Sequence, residues 1–168
     1  GVAIFYPLAG FPIARLADRG NRRNIIAIAL LIWSAMTVAS GLARNFAQLL
    51  IARIGVGVGE AGCTPPAHSI ISDTFPAERR ATALSVYALG VPIGTLFGLA
   101  AGGYLAEELG WKVAFLVVGA PGVLLAIIAR FTLNEPTRGR FDAGTDVTQE
   151  PLTGTFEFIF ALPAMRHV

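Results

Sequence analysis

The stretch Arg53–Pro66, RIGVGVGEAGCTPP, places an arginine and a glutamate inside a segment that otherwise has the composition of a membrane-spanning helix. A charged side chain at the bilayer centre costs about 2.5–3.5 kcal/mol on insertion scales, so ionisable residues within spans usually have a function. Arg53 and Glu60 are seven residues apart, and a helix places them on one face about 10 Å apart along its axis, with Gly57 between them. The pair is either structural, bridged by partners on other helices, or a proton or substrate site that faces a water-filled cavity.

The composition of the whole chain is that of a polytopic membrane protein. Of its 168 residues, 54% are hydrophobic and 14% are charged, whereas an ordinary soluble domain has about 25% charged residues. Residues 25–43, 81–106 and 113–129 contain no charged side chain, and a helix of about 20 apolar residues crosses a bilayer core of ~30 Å. We therefore predict an all-α fold in a lipid bilayer. The predicted spans are, approximately, residues 1–16, 25–43, 47–72, 82–105 and 113–133.

Positive charges are concentrated on one side of these spans. The connections at the ends of the first, third and fifth spans carry nine arginines, and the opposite side has only Arg44 and Lys112. Because cytoplasmic loops carry an excess of Lys and Arg, we assign the arginine-rich side to the cytoplasm. Residues 1–136 are the predicted transmembrane region. Residues 137–168 are a predicted cytoplasmic linker, whose end, TFEFIFALPAMRHV, is either an interfacial helix or the approach to another span.

The first cytoplasmic connection, ARLADRGNRR, is a compact cluster of charges. These charges either set the topology alone, or a carboxylate bonds helix N-terminal amides and an arginine and so holds two helices together. The candidate residues are Asp18, Arg19, Arg22 and Arg23. The apolar segment that precedes them is only fourteen residues long, and we expect the chain to be a piece of a longer protein.

Two further segments contain residues that bend helices or let them approach closely. Pro65 and Pro66 end the charged stretch, and proline inside a helix bends it, so they predict either a structural bend or a gating hinge. In the fourth span, GVPIGTLFGLAAGG has a glycine at every fourth position. Small residues at this spacing allow close helix packing, so the stripe is either a packing surface or a surface on which helices rock. Its residues are Gly90, Gly94, Gly98 and Gly102, with Pro92 between the first two.

The charged connection resembles the loop between the second and third helices of the major facilitator superfamily, G-x-L-A-D-R-x-G-R-[RK]. Leu16, Ala17 and the four charged residues match, while Ala14 and Asn21 replace the two glycines. The asparagine is similar to the spinster branch of that family. The resemblance implies that Asp18, Arg22 and Arg23 form a latch that locks one conformation on the cytoplasmic side.

The opening stretch also resembles this family. Arg53, Gly57 and Gly59 match its fourth-helix motif, R-x-x-x-G-x-G, and the continuation HSIISDTFPAERRATALSVY is similar to bacterial spinster-like transporters. The resemblance implies that Arg53 and Glu60 are proton-coupling residues, together with an acidic residue on the family's first helix. The glycine stripe with Pro92 resembles the family's fifth helix.

The resemblance implies a secondary transporter with two six-helix halves and alternating access. Residues 1–139 would correspond to helices 2–6 of the first half, so the expected partners are helix 1 and the second half of the same protein. The implied solute is an amphiphilic small molecule or lipid, such as a lysolipid or sphingoid lipid, moved with protons across a bacterial inner membrane. A sugar, organic-acid or drug transporter is the alternative within transport. A non-transporting membrane scaffold or receptor is the alternative outside it.

Enzyme motifs do not compete with this interpretation. The sequence has no H-E-x-x-H, no G-x-S-x-G and no P-loop. Ser69 follows His68 directly, and adjacent residues point to different helix faces. We expect a protein that is not an enzyme and needs no cofactor, metal ion or nucleic acid.

Overall fold

The computed structural model describes Ile13 and residues 20–141. Within these residues there is no strand, which confirms the predicted all-α fold. Most of the first predicted span, Asp18, Arg19 and the linker from residue 142 onward lie outside the described residues. The helices from Arg22 onward are α1 (Arg22–Leu42), α2 (Phe46–Ala61), α3 (Thr64–Thr74), α4 (Ala77–Ala88), α5 (Gly90–Leu109) and α6 (Trp111–Thr132).

Four helical stretches of the described chain are long and apolar enough to cross a membrane. They are α1 alone, α2 continued by α3, α4 continued by α5, and α6 alone. The α4–α5 stretch has 33 residues and is about 50 Å long at 1.5 Å per residue. Because this length exceeds the ~30 Å bilayer core, we expect the charged start of α4, which contains Glu78, Arg79 and Arg80, to extend beyond it.

Local sequence explains where these helices begin and end. The side-chain oxygen of Asn21 accepts a hydrogen bond from the backbone N–H of Asn24 (2.9 Å) and caps α1, and Asn45 caps α2 in the same way through Gln48 (2.9 Å). Such caps satisfy amides that have no partner within the helix. Gly110 separates α5 from α6 with a φ of 86°, a backbone conformation that glycine adopts without steric cost.

The helix break in the opening stretch precedes the two prolines. The α2 helix ends at Ala61, a turn follows at Gly62, and Pro65 and Pro66 lie in the first turn of α3. Proline is tolerated in a first turn because the N–H that it lacks would have no partner within the helix there. The helix is therefore interrupted before the prolines, and they lie where a new helix starts.

The α1 helix is the central element of the packing and contacts both α2 and α6 along its length. Glycines allow these approaches. A Cβ atom on Gly59 of α2 would lie 2.6 Å from the backbone N of Trp33, and one on Gly119 of α6 would lie 2.9 Å from the backbone N of Val38. By contrast, α5 has no buried residue and packs only against α4 and α6 within the described chain.

Candidate functional site

A cavity of about 840 Å³ lies between α1, α2, α5 and α6. Its charged lining residues are Arg53 and Glu60, so the structure brings the two charges of the opening stretch to one wall as their spacing predicts. Val56, and not Gly57, lines the wall between them; Gly57 is buried. The remaining walls include Trp33 and Ser34 of α1, Gly94, Gly98 and Gly102 of α5, and Trp111, Phe115, Val118 and Leu125 of α6.

The two charged side chains are not paired with each other. Arg53 and Glu60 form no ion pair within 4 Å, and neither makes a hydrogen bond to any part of the chain that the structure describes. The guanidinium carbon of Arg53 lies over the Phe115 ring, 5.7 Å from its centroid. Glu60 is exposed on the cavity wall. The described helices therefore supply no hydrogen-bonding bridge of the kind that a purely structural pair would need.

The glycine stripe of α5 faces this cavity. Gly94, Gly98 and Gly102 line it, and a Cβ atom on any of them, or on Gly90, would meet nothing within 4 Å in the described chain. Gly90 and Pro92 do not line the cavity. Within the described residues the stripe thus widens a wall, and the packing partner that its spacing suggests is not among them.

A second group of charges joins the arginine-rich ends of three helices, on the side that the sequence predicts to be cytoplasmic. Arg22 at the start of α1 is buried, with only 1% of its surface exposed. Its Nε donates to the Glu135 carboxylate (2.7 Å), and its Nη1 donates to the Asp73 carboxylate and to the Ser69 hydroxyl (2.8 Å). Its Nη2 donates to the carbonyl oxygen of Pro136 (2.9 Å). A buried charge is costly unless it is paired and hydrogen-bonded, and this set of acceptors satisfies the guanidinium.

The acidic partners of Arg22 also bind backbone amides. The second carboxylate oxygen of Glu135 accepts the N–H of Arg23 (2.9 Å), and that of Asp73 accepts the N–H of Gly139 (3.0 Å). Burial raises the pKa of Glu135, but the Arg23 N–H and the Arg22 guanidinium outweigh burial and lower that pKa below its ordinary value. Glu135 is therefore held in its charged form. We call Arg22, Ser69, Asp73 and Glu135 the cytoplasmic cluster.

The predicted latch overlaps this cluster only in part. Arg22 is its centre, and Arg23 contributes its backbone N–H, while Asp18 and Arg19 lie outside the described residues. The motif comparison missed Asp73 and Glu135. Both are acidic residues at the arginine-rich ends of spans, in the segments ISDTFP and NEPTRG. An acidic residue next to an arginine-rich loop is a possible partner for one of its arginines, and this was the signal in the sequence that could have identified both residues.

Comparisons with known proteins agree with the motifs. A model of the Major Facilitator Superfamily matches residues 1–166. An MFS-type efflux pump of Mycolicibacterium smegmatis is 40% identical over 126 residues, which are 75% of this chain and 29% of the pump. Protein spinster homolog 1 of Xenopus laevis is 36% identical over 143 residues, which are 83% of this chain and 27% of that protein.

Solved structures give the same result. The crystal structure of a bacterial homolog to the human lysosomal transporter Spinster, in an inward-facing and unoccupied conformation, has a TM-score of 0.78 at 41% identity. The match covers 96% of this chain and 40% of that one. The chain spans less than a third of the length of the curated relatives named above. It is a multi-pass membrane protein that belongs to the Major Facilitator Superfamily, with spinster proteins among its relatives.

Proposed function

We propose that this chain forms part of a proton-coupled secondary transporter that moves an amphiphilic organic solute by alternating access. The observation that carries the proposal is the position of Arg53 and Glu60, the charged residues on the wall of an otherwise mainly apolar cavity of about 840 Å³. Ionisable residues in spans commonly mark substrate or proton pathways. The complementary half and the family's first helix would complete the protein.

Arg53 would bind the polar end of the solute. A guanidinium stays charged and can donate two parallel hydrogen bonds to a phosphate or carboxylate. The walls beside it offer Trp33, Phe115 and Leu125, and α5 adds three glycines without side chains. A solute with an anionic head and an alkyl chain fits this combination of one cation and apolar surface. A lysophospholipid or a sphingoid phosphate has that chemistry.

Glu60 would carry the proton. Its side chain is exposed on the cavity wall and has no hydrogen-bonding partner in the described chain. Carboxylates within membrane spans form proton relays in pumps and transporters. A carboxylate on the wall of an open cavity can exchange a proton with the water in it, so proton transfer can be coupled to the side of the membrane to which the cavity opens.

The cytoplasmic cluster would stabilise one of the two alternating conformations. We propose that Asp18, Arg19, Arg22 and Arg23 act as the latch. The bonds that join Arg22 to Asp73 and Glu135 support this role, because they hold together three helix ends of one half, at the surface against which the other half would close.

The relatives leave the solute open. Their names include spinster homologs, an efflux pump and a probable L-galactonate transporter of Escherichia coli. We propose a lysolipid or sphingoid lipid, from the cavity chemistry described above, and a bacterial inner membrane as the location. Sugars, organic acids and drugs are the alternative solutes.

Flux measurements on the full-length parent protein in liposomes test the proposal. Labelled lysophospholipids would be followed across a range of pH gradients, in the unsubstituted protein and in Glu60→Gln. We expect flux that depends on the proton gradient and that the substitution abolishes. Gradient-independent flux that is unchanged by Glu60→Gln would contradict the coupling. Absence of flux with every lipid would contradict the solute class, and tolerance of the substitution in an intact but non-transporting protein would favour a scaffold.

A further inference from the structure

Arg53 and Phe115 contact each other across a gap between helices whose backbones do not approach each other closely. The Arg53 guanidinium carbon lies 5.7 Å from the centroid of the Phe115 ring. Although α2 and α6 are both fully described, no Cα atom of α2 approaches a Cα atom of α6 within 8 Å. The cavity separates the two helices, and this cation–ring contact spans it.

Both ends of the contact are fixed to α1. On the α2 side, a Cβ atom on Gly59 would lie 2.6 Å from the backbone N of Trp33 and 2.9 Å from the carbonyl oxygen of Ala29. On the α6 side, a Cβ atom on Gly41 would lie 2.5 Å from the Lys112 carbonyl oxygen and 3.2 Å from the Cβ of Phe115. Such close approaches leave little room for either helix to shift relative to α1. The distance between the arginine and the ring is therefore set by the packing of the helices.

A second aromatic ring also packs against Phe115. Trp111 packs edge-on against Phe115, with centroids 6.2 Å apart and an interplanar angle of 85°, and Lys112 Nζ lies 5.5 Å from the centroid of the Trp111 ring. Edge-to-face aromatic pairs are favourable arrangements. The Phe115 ring thus has a defined place at the cavity wall even before any solute binds.

The contact leaves the hydrogen-bonding capacity of Arg53 available. A cation over a ring face is attracted by the ring quadrupole, and this attraction uses none of the five N–H donors of the guanidinium. Within the described chain those donors make no hydrogen bond. An anionic group can therefore bind Arg53 without displacing it from the ring.

We infer that Phe115 is a positioning residue for Arg53 and favours the binding of anionic amphiphiles over neutral ones. This inference rests on the proposed function of the same cavity. Immobilising a long, flexible side chain costs free energy on binding, and a ring that orders Arg53 beforehand removes part of that cost. Loss of the ring should weaken the binding of an anion about 3- to 10-fold.

A binding experiment on the full-length parent protein in detergent tests this role. Calorimetric titration would compare a 14-carbon lysophosphatidylglycerol with a neutral monoacylglycerol of the same chain length. Phe115→Leu should weaken binding of the anionic lipid by the stated factor and leave binding of the neutral lipid unchanged. Phe115→Tyr, which keeps an aromatic ring, should bind the anionic lipid as tightly as the unsubstituted protein does. Equal losses for the two lipids, or no loss in Phe115→Leu, would overturn the inference.

A second measurement needs no lipid. Midpoints of thermal unfolding would be compared for Arg53→Gln, Phe115→Leu and the double variant, since a double-mutant cycle isolates the energy of a direct contact. We expect the double variant to lose less than the sum of the single losses. A matched cycle pairs Arg53→Gln with Val118→Ala, which changes another lining residue of α6. In this cycle the losses of the two single variants should add. If neither lipid binds to the unsubstituted protein, the proposed solute is wrong, and additivity in both cycles would still overturn the role of Phe115.

Discussion

Arg22 and Glu135 are 113 residues apart in the chain, yet Nε of the arginine lies 2.7 Å from Oε1 of the glutamate. The bond joins the start of α1 to the segment that follows α6. Because Asp73 at the end of α3 binds the same guanidinium, one buried arginine connects three parts of the arginine-rich side. The strength of this connection determines several measurable properties of the protein.

Glu135→Gln should destabilise the protein. The amide keeps one acceptor for Arg22, but its NH2 group then faces either the Arg22 guanidinium or the Arg23 N–H, both of which are donors. Loss of a hydrogen bond to a charged group costs about 1.5–3 kcal/mol, so the midpoint of thermal unfolding of the full-length protein should fall. Glu107→Gln is the control, because Glu107 is an exposed glutamate near the C-terminal end of α5 and is not part of the cluster. Equal midpoints for the two variants would contradict a stabilising role for Glu135.

The stabilising effect of Glu135 should disappear in acid. Its pKa is lowered in the folded protein, so the unfolded chain takes up a proton first as the pH falls, and the stabilisation is complete only above the unfolded value of about 4.3. The difference in unfolding midpoint between the unsubstituted protein and Glu135→Gln should be constant near neutral pH. It should shrink below about pH 4.3 and vanish below the lowered pKa. A difference that grows with acidity would show that the sign of the shift is wrong.

Ser69→Ala should weaken the cytoplasmic cluster through a neutral hydrogen bond. The Ser69 hydroxyl accepts from Arg22 Nη1 at 2.8 Å, and its removal leaves a buried N–H group with one acceptor fewer. A net loss of about 0.5–1.5 kcal/mol in the free energy of unfolding is expected. Ser72→Ala is the matched control on the same helix, because only the backbone carbonyl of Ser72 takes part in a described bond. If both variants unfold alike, the hydroxyl contributes nothing to the cluster.

The sequence predicted contacts within one helix better than contacts between helices. Arg53 and Glu60 share a cavity wall because a spacing of seven residues places them on one helix face. Arg22 was predicted as a latch residue, but its bonds to Asp73 and Glu135 span 51 and 113 residues, and no periodic pattern relates such positions. Those bonds exist because the fold brings the start of α1 together with the end of α3 and the segment that follows α6.

The glycines illustrate the same difference. Gly59 and Gly119 lie where helices touch, whereas Gly98 belongs to the most regular glycine stripe of the chain and faces a cavity. A four-residue spacing shows that a helix face lacks side chains. It does not show whether another helix or an open space lies opposite, because that depends on how the helices are arranged.

Substitutions at Gly59 and Gly98 should therefore affect different properties. We expect the Gly59 substitution to reduce stability and the Gly98 substitution to reduce transport. In Gly59→Ala the new methyl group would lie 2.6 Å from the backbone N of Trp33, so α1 and α2 must move apart, at a cost of about 1–3 kcal/mol. Gly98→Leu meets open space in the described chain and should leave the unfolding midpoint unchanged, but its side chain would fill part of the cavity and reduce lipid flux. Thermal unfolding and flux, measured on both variants of the full-length protein, check this. A large loss of stability in Gly98→Leu would instead place another helix against the stripe.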